Sequence, residues 1–359
     1  MAKTAYLVLE NGDVYEGYSF GAEKEVTGEL VFTTSMVGYL ETLTDPRYHG
    51  QLVVQTFPLT GNYGVISTDL QSPCAHPGAY IVREFCDTPS NFRCEGTLET
   101  YFNEQGIPGL YGIDTRRLTK TLCNEGAMNA FLTTDAAKVP EGAAICKAYS
   151  VGDVVSEVSS FDPYETVEDG ERTVAFWDFG APESLSRALV ERGCKVVRLP
   201  AATTAEELLS YDPDGILVGN GPGDPAANTA AIAELTKLTA TGLPIFGVGL
   251  GHQLLALSMG AKTEKLHHGH RGANQPVKDL SSGRVAITAQ NHGYTVLPDS
   301  LPEGAVETHI NANDGSLEGI SYEGKPMFSL QFDPAVHGSL LDSETPFDRF
   351  IALIDAHRA

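Results

Sequence analysis

From Thr173 onward the chain alternates short apolar runs with amphipathic segments, and that alternation restricts the second half to a narrow set of folds. Val174 to Asp178, Lys195 to Leu199, Gly215 to Val218 and Pro244 to Val248 read as strands. Such short, largely apolar runs suit strands buried on both faces. Between them, Pro182 to Glu191, Ala205 to Ser210 and Ala227 to Thr239 have helical spacing. Strand and helix in this order predict a mainly parallel sheet wound on both faces by helices, an α/β fold.

Two of the connections are rich in glycine. The first, Gly219-Asn220-Gly221-Pro222-Gly223-Asp224-Pro225, follows a strand, and closely spaced N–H groups in such a turn attract anions. It does not match GxGxxG, and Pro222 and Pro225 remove two donors, so a plain strand-to-helix connection explains the turn equally well. The second, Gly249-Leu250-Gly251, lies one βα unit later and opens a helix from His252 to Met259. Both turns fall at the carboxyl edge of the expected sheet, where ligands bind in open α/β folds. A strand, a sharp turn and a helix are also how α/β hydrolytic enzymes mount a nucleophile.

The first half reads differently. Ala5 to Leu9, the Asn11-Gly12-Asp13 turn and Val14 to Glu16 spell a hairpin. Leu52 to Phe57 and Ala79 to Val82 read as buried strands, and Leu98 to Gln105 and Thr115 to Asn124 as helices, which makes an α+β domain over 1–150. The stretch 151–172 turns acidic and loses its apolar periodicity, so it is expected to be a linker to the α/β domain at 173–359. A length of 359 residues exceeds what one core usually serves. The net charge of −23 repels nucleic acid and anionic membranes, which leaves proteins and small molecules as partners. The six cysteines form no metal-ligand pattern or disulfide scaffold, and the start of the chain carries no signal-peptide pattern. No apolar run reaches about 18 residues. A soluble cytoplasmic protein with reduced thiols is expected.

The runs GNGPGDP, GVGLGHQLLAL, ITAQNHGY and SLQFDPAVHG resemble the amidotransferase motifs of carbamoyl phosphate synthetase small subunits. In the first half, TSMVGY, LTDPRYHGQ, GNYG, SNFR, GIDTRRLT and GAMN are similar to that family's own N-terminal domain. The resemblance spans essentially the whole chain. It implies a class I glutamine amidotransferase domain and a large-subunit partner, with ATP and Mg or K confined to that partner and no cofactor or metal in this chain. It also implies a glutamine pocket made by Ser35, the main chain of Gly221, Gly223 and Leu250, and Gln253, Asn291, Gly293 and Tyr294.

The family's catalytic triad does not carry over. Its nucleophilic cysteine falls on Gly249, its base histidine on Asp333 and its orienting glutamate on Ala335. Thioester chemistry needs a nucleophile beside a base, and glycine has no side chain to acylate. Pro182, Ser184, Arg271, Ala273, Gln275 and Thr33 also depart from the family pattern, so the change is not a single substitution.

The expected role is therefore a small subunit without glutaminase activity, for which the family offers ammonia-dependent precedents, in pyrimidine or arginine biosynthesis. A glutamine-binding sensor or regulatory scaffold is the alternative, and a repurposed hydrolase using Asp333 or His337 is a third. Without the family, Gln253 could be a solvated helix residue and Asn291-His292-Gly293 a plain turn. His252 reads as a supporting residue, and His267, His268 and His270 as loop histidines with no metal.

Overall fold

The computed structural model describes residues 3–160, 162–165, 170–335 and 346–359. Two compact units result, Met1–Gly152 and Asp153–Ala359.

In the first unit, the hairpin forms between Thr4–Leu9 and Val14–Gly21, paired antiparallel. Seven strands close into a barrel in the order Thr4–Leu9, Val14–Gly21, Pro108–Tyr111, Ala79–Ile81, Leu52–Gln55, Val26–Thr33 and Met128–Thr133. The period-2 alternation of these strands sorts their side chains into two cores. Leu30, Leu52, Val54, Ile81 and Leu110 join one core, to which the helix Thr115–Glu125 adds Leu118 and Leu122. Val31, Val53 and Tyr80 face the other, with Leu98 and Phe102 from the helix Leu98–Gln105. That helix starts on the Thr97 side chain, which accepts from the Thr100 N–H, and stops at Gly106 in the left-handed region.

The second unit is built on one ten-stranded sheet. Cys194–Pro200, Arg172–Asp178, Gly215–Val218, Ile245–Val248 and Met327–Leu330 run parallel in that order. Successive residues go to opposite faces. Ala175, Trp177, Ile216 and Val218 meet the helices Thr229–Leu238 and Leu250–Ser258 through Leu235, Leu238, Leu254 and Leu255. Val174, Phe176, Leu217 and Phe246 meet Glu183–Val190 and Pro346–Arg358 through Leu185, Leu189, Phe350 and Ile354. The sheet is thus wound on both faces.

Beyond Met327–Leu330 the sheet continues antiparallel through Leu317–Tyr322, Ala305–Asn311, Thr263–Asp279 and Val285–Val296. Two expectations change here. The histidines at 267, 268 and 270 lie in a strand instead of a loop, and Asn291-His292-Gly293 is mid-strand instead of a turn. Both strands are long and largely polar, so periodicity does not announce them. The expected linker also carries structure. Val154–Val158 is a helix capped by Asp153, and Tyr164–Glu165 pairs with Cys194–Pro200 at the sheet edge.

Among the described residues, no helix is long and apolar enough to cross a membrane.

Candidate functional site

The strand Ile245–Val248 ends at Gly249, which caps the helix Leu250–Ser258 with φ 58° and ψ −110°. This is a conformation that L side chains rarely adopt, as at the strained elbow of α/β hydrolytic enzymes. Glycine takes it without penalty. The elbow is held from the sheet, since the Gly249 N–H donates to the Leu330 carbonyl at 2.9 Å. Gly251 lets the helix start close to the neighbouring strand, because a Cβ there would lie 2.1 Å from the Val218 carbonyl oxygen.

The space a nucleophile would need is filled. A Cβ built on Gly249 would stand 2.1–2.3 Å from Oδ1, Cγ and Nδ2 of Asn220, well inside contact distance. Asn220 belongs to the first glycine-rich turn and is 3% exposed. Its Oδ1 accepts from the Gly221 N–H at 2.9 Å and the Leu250 N–H at 3.0 Å. These two N–H groups are main-chain donors expected from the resemblance at the oxyanion position. A side-chain amide oxygen of the protein itself now satisfies both. Gly221 must be glycine at this approach, since a Cβ would come within 2.3 Å of the Phe179 carbonyl oxygen. Gly223 adopts φ 89° in the same turn.

The rest of the expected pocket falls into two groups. Gln253 is buried on the helix face toward the antiparallel extension, so it is not a solvated residue. Its Nε2 donates to the Tyr294 carbonyl at 2.7 Å and to Gln331 Oε1 at 2.8 Å. The helix therefore carries Gln253 to the strand that holds Asn291, Gly293 and Tyr294. A Cβ on Gly293 would be 3.2 Å from Arg271 Nη2, so that guanidinium lies along this wall of the site. Ser35 belongs to the first unit. Its carbonyl accepts from Gln55 Nε2, and its N–H points to Thr33 Oγ1 at 3.4 Å.

At the positions where the resemblance places the base and its partner, Asp333 is engaged in local structure. Its N–H donates to the Ala289 carbonyl at 2.9 Å, and its Oδ1 accepts from the Ala335 N–H at 3.0 Å, the two-residue closure of an Asx turn. Ala335 packs against the core beside Phe332 and Phe347. His337 lies outside the described residues.

His252 is fully buried. Its Nδ1 lies 2.8 Å from Ser329 Oγ, tying the elbow helix to the strand Met327–Leu330, and burial pushes its pKa down to about 3. The neutral ring supports the elbow, as read from the sequence. Among the cysteines, Cys194 alone belongs to the second unit. It opens the strand Cys194–Pro200, at the amino edge of the sheet and away from the elbow, and burial raises its thiol to about 11.

The feature that sequence reasoning missed is Asn220. The asparagine stands in plain view between two glycines, but only the fold aims its amide at the vacant position.

Residues 7–132 match the model "Carbamoyl-phosphate synthase small chain, CPSase domain", and residues 175–353 match "Glutamine amidotransferase class-I". The carbamoyl phosphate synthase small chain of Clostridium perfringens is 47% identical over 97% of this chain and 98% of its own length. Those of Bacillus caldolyticus and Symbiobacterium thermophilum are 46% and 42% identical over 97% of this chain, and over 96% and 98% of their own lengths. The chain, glycine at its elbow included, belongs to the carbamoyl phosphate synthase small-chain family.

Proposed function

We propose that this protein is the small subunit of a carbamoyl phosphate synthetase whose own site no longer hydrolyses glutamine, and that it supports a large subunit working from free ammonia. One observation carries the reading: Asn220 Oδ1 occupies the donors of Gly221 and Leu250 at the place that Gly249 leaves empty. A glutaminase needs a thiolate at that place and an oxyanion in those donors. Neither Asp333, tied into its Asx turn, nor Ala335 replaces the base pair that would activate a nucleophile. The thiol of Cys194 is buried, protonated at neutral pH and at the opposite sheet edge.

The partner is the large subunit, which would supply the ATP, Mg and K sites, in pyrimidine or arginine biosynthesis. Retention of the complete N-terminal barrel supports a docking role, because a free-standing amidotransferase would not need it.

The test combines two assays on the purified chain, alone and with its large subunit. We expect no ammonia release from glutamine and carbamoyl phosphate synthesis from ammonia that improves when this chain is present. Glutamine hydrolysis above background would overturn the reading.

A further inference from the structure

The antiparallel extension of the second unit gathers a group of side chains that the amidotransferase site does not use. His270, His292 and Glu318 place one ligand atom each within 4.8 Å of one another. They come from three different strands, Thr263–Asp279, Val285–Val296 and Leu317–Tyr322. All three are buried, and Glu318 is 0% exposed.

The outer contacts give each ring a hydrogen-bond acceptor. His270 Nε2 lies 3.0 Å from Asp314 Oδ2, and His292 Nδ1 lies 2.8 Å from the Tyr294 carbonyl oxygen. A carbonyl or ionised carboxylate oxygen only accepts, so an outer nitrogen that bonds to it is a donor. Burial keeps the His292 ring neutral. On His270 burial is outweighed by Glu318 and Asp314, which raise its pKa, so a metal ion entering here would displace a proton. The inner nitrogens, His270 Nδ1 and His292 Nε2, face the centre of the cluster. They lie 3.6 and 4.0 Å from Glu318 Oε1. Gln290 Oε1 lies 3.0 Å from His292 Nε2, so a neutral His292 ring has one proton for two acceptors, this amide oxygen and the Tyr294 carbonyl. Asn311 Nδ2 is a donor at 3.4 Å from Glu318 Oε1 and 3.5 Å from His270 Nδ1, and His270 and Gln290 also hydrogen-bond Glu318, whose Oε2 has no hydrogen-bond partner among the described residues. A buried carboxylate among imidazoles is costly unless a proton or a metal cation joins them.

We propose that His270 Nδ1, His292 Nε2 and Glu318 Oε1 form a binding site for a divalent metal ion of the zinc class. Two imidazoles and a carboxylate are a donor set of that ion, with a fourth position left for Gln290 Oε1 or water. Bonds of about 2.0–2.2 Å put tetrahedral ligand atoms about 3.4 Å apart, so the 3.6 and 4.0 Å contacts must shorten by about 0.2 and 0.6 Å, and the two histidine nitrogens, within 4.8 Å, by up to about 1.4 Å. The Asp314 carboxylate and the Tyr294 carbonyl are the outer partners that orient metal-bound histidines. The ion would pin three strands together immediately beside Asn291 and Gly293, and so stiffen that wall of the pocket.

The test uses the untagged full-length chain, stripped with chelator, titrated with zinc chloride by calorimetry and with cobalt(II) followed in the visible spectrum. One zinc per chain, intense cobalt bands of a low-coordinate site, and a rise in melting temperature on zinc addition are expected. Glu318→Gln should abolish the cobalt bands. Asp314→Asn, at an exposed position where the amide oxygen can still accept from the Ser316 N–H and hydroxyl, should weaken zinc binding about 10–100-fold. The double variant His267→Ala/His268→Ala should bind as the parent does. No stoichiometric uptake by the parent chain would overturn the proposal and leave the cluster sharing a proton. Uptake unchanged by both Glu318→Gln and Asp314→Asn would overturn it equally.

Discussion

Replacing Gly249 by cysteine restores the family's nucleophile at its own position, and the structure says what that costs. At φ 58° and ψ −110° a residue with a Cβ carries backbone strain of roughly 1–3 kcal/mol. Its Cβ also collides with Asn220, at 2.1–2.3 Å from three atoms of the amide. The amide must rotate away, and it gives up two hydrogen bonds, from the Gly221 and Leu250 N–H groups, each worth about 0.5–1.5 kcal/mol net. Together these terms lower stability by about 2–6 kcal/mol, and the melting temperature by roughly 4–24 °C for a domain of this size. The assay is urea and thermal unfolding of Gly249→Cys, Gly249→Ala, Asn220→Ala and the double variant Gly249→Ala/Asn220→Ala. Alanine carries the same Cβ without the thiol, so it separates strain and collision from sulfur chemistry. Asn220→Ala should cost less in the Gly249→Ala background than in the parent, with a coupling of about 1–2 kcal/mol. Equal or higher stability of Gly249→Cys, or additive behaviour of the two alanine changes, would refute the reasoning. Gly249→Cys alone should also hydrolyse no glutamine, since Asp333 and Ala335 supply no base.

The remaining predictions concern the frame around the site. His252 has a folded pKa near 3 against an ordinary value of 6.5, so the unfolded state takes up the proton first as pH falls. Its contribution is fully present above pH 6.5 and is lost progressively toward pH 3. Between pH 6.5 and 5 the loss is about 2 kcal/mol; His252→Asn should flatten the urea-midpoint profile across that range, and an unchanged slope would count against the buried neutral ring. Arg198 lies 3.0 Å from Asp178 with both side chains buried, and it also pairs with Glu183. Arg198→Ala strands the Asp178 carboxylate and should cost about 3–5 kcal/mol in urea unfolding, so a cost under about 1 kcal/mol would show that the Gly180 and Ala181 N–H groups suffice for Asp178.

Local pattern carried the parts of this molecule whose cause is local. The parallel strands and their helices were legible from residue spacing, because a doubly buried strand and an amphipathic helix each write their period into a few residues. The glycine at 249 and the Asp333 and Ala335 residues, which the resemblance sets at the family's nucleophile, base and glutamate positions, were legible in the sequence. The long polar strands Thr263–Asp279 and Val285–Val296 were not legible, since their pairing is set by distant partners and their apolar alternation is weak. Closure of the seven-stranded barrel, the turn of Asn220 into the donors of Gly221 and Leu250, the burial of Gln253 and the meeting of His270 and His292 with Glu318 were decided in the tertiary structure. Each depends on groups that packing brings together from distant points of the chain; Asn220 and Leu250 are 30 positions apart. A chain pattern encodes which face a residue turns toward, and the identity of what it meets there is decided by how the sheet assembles.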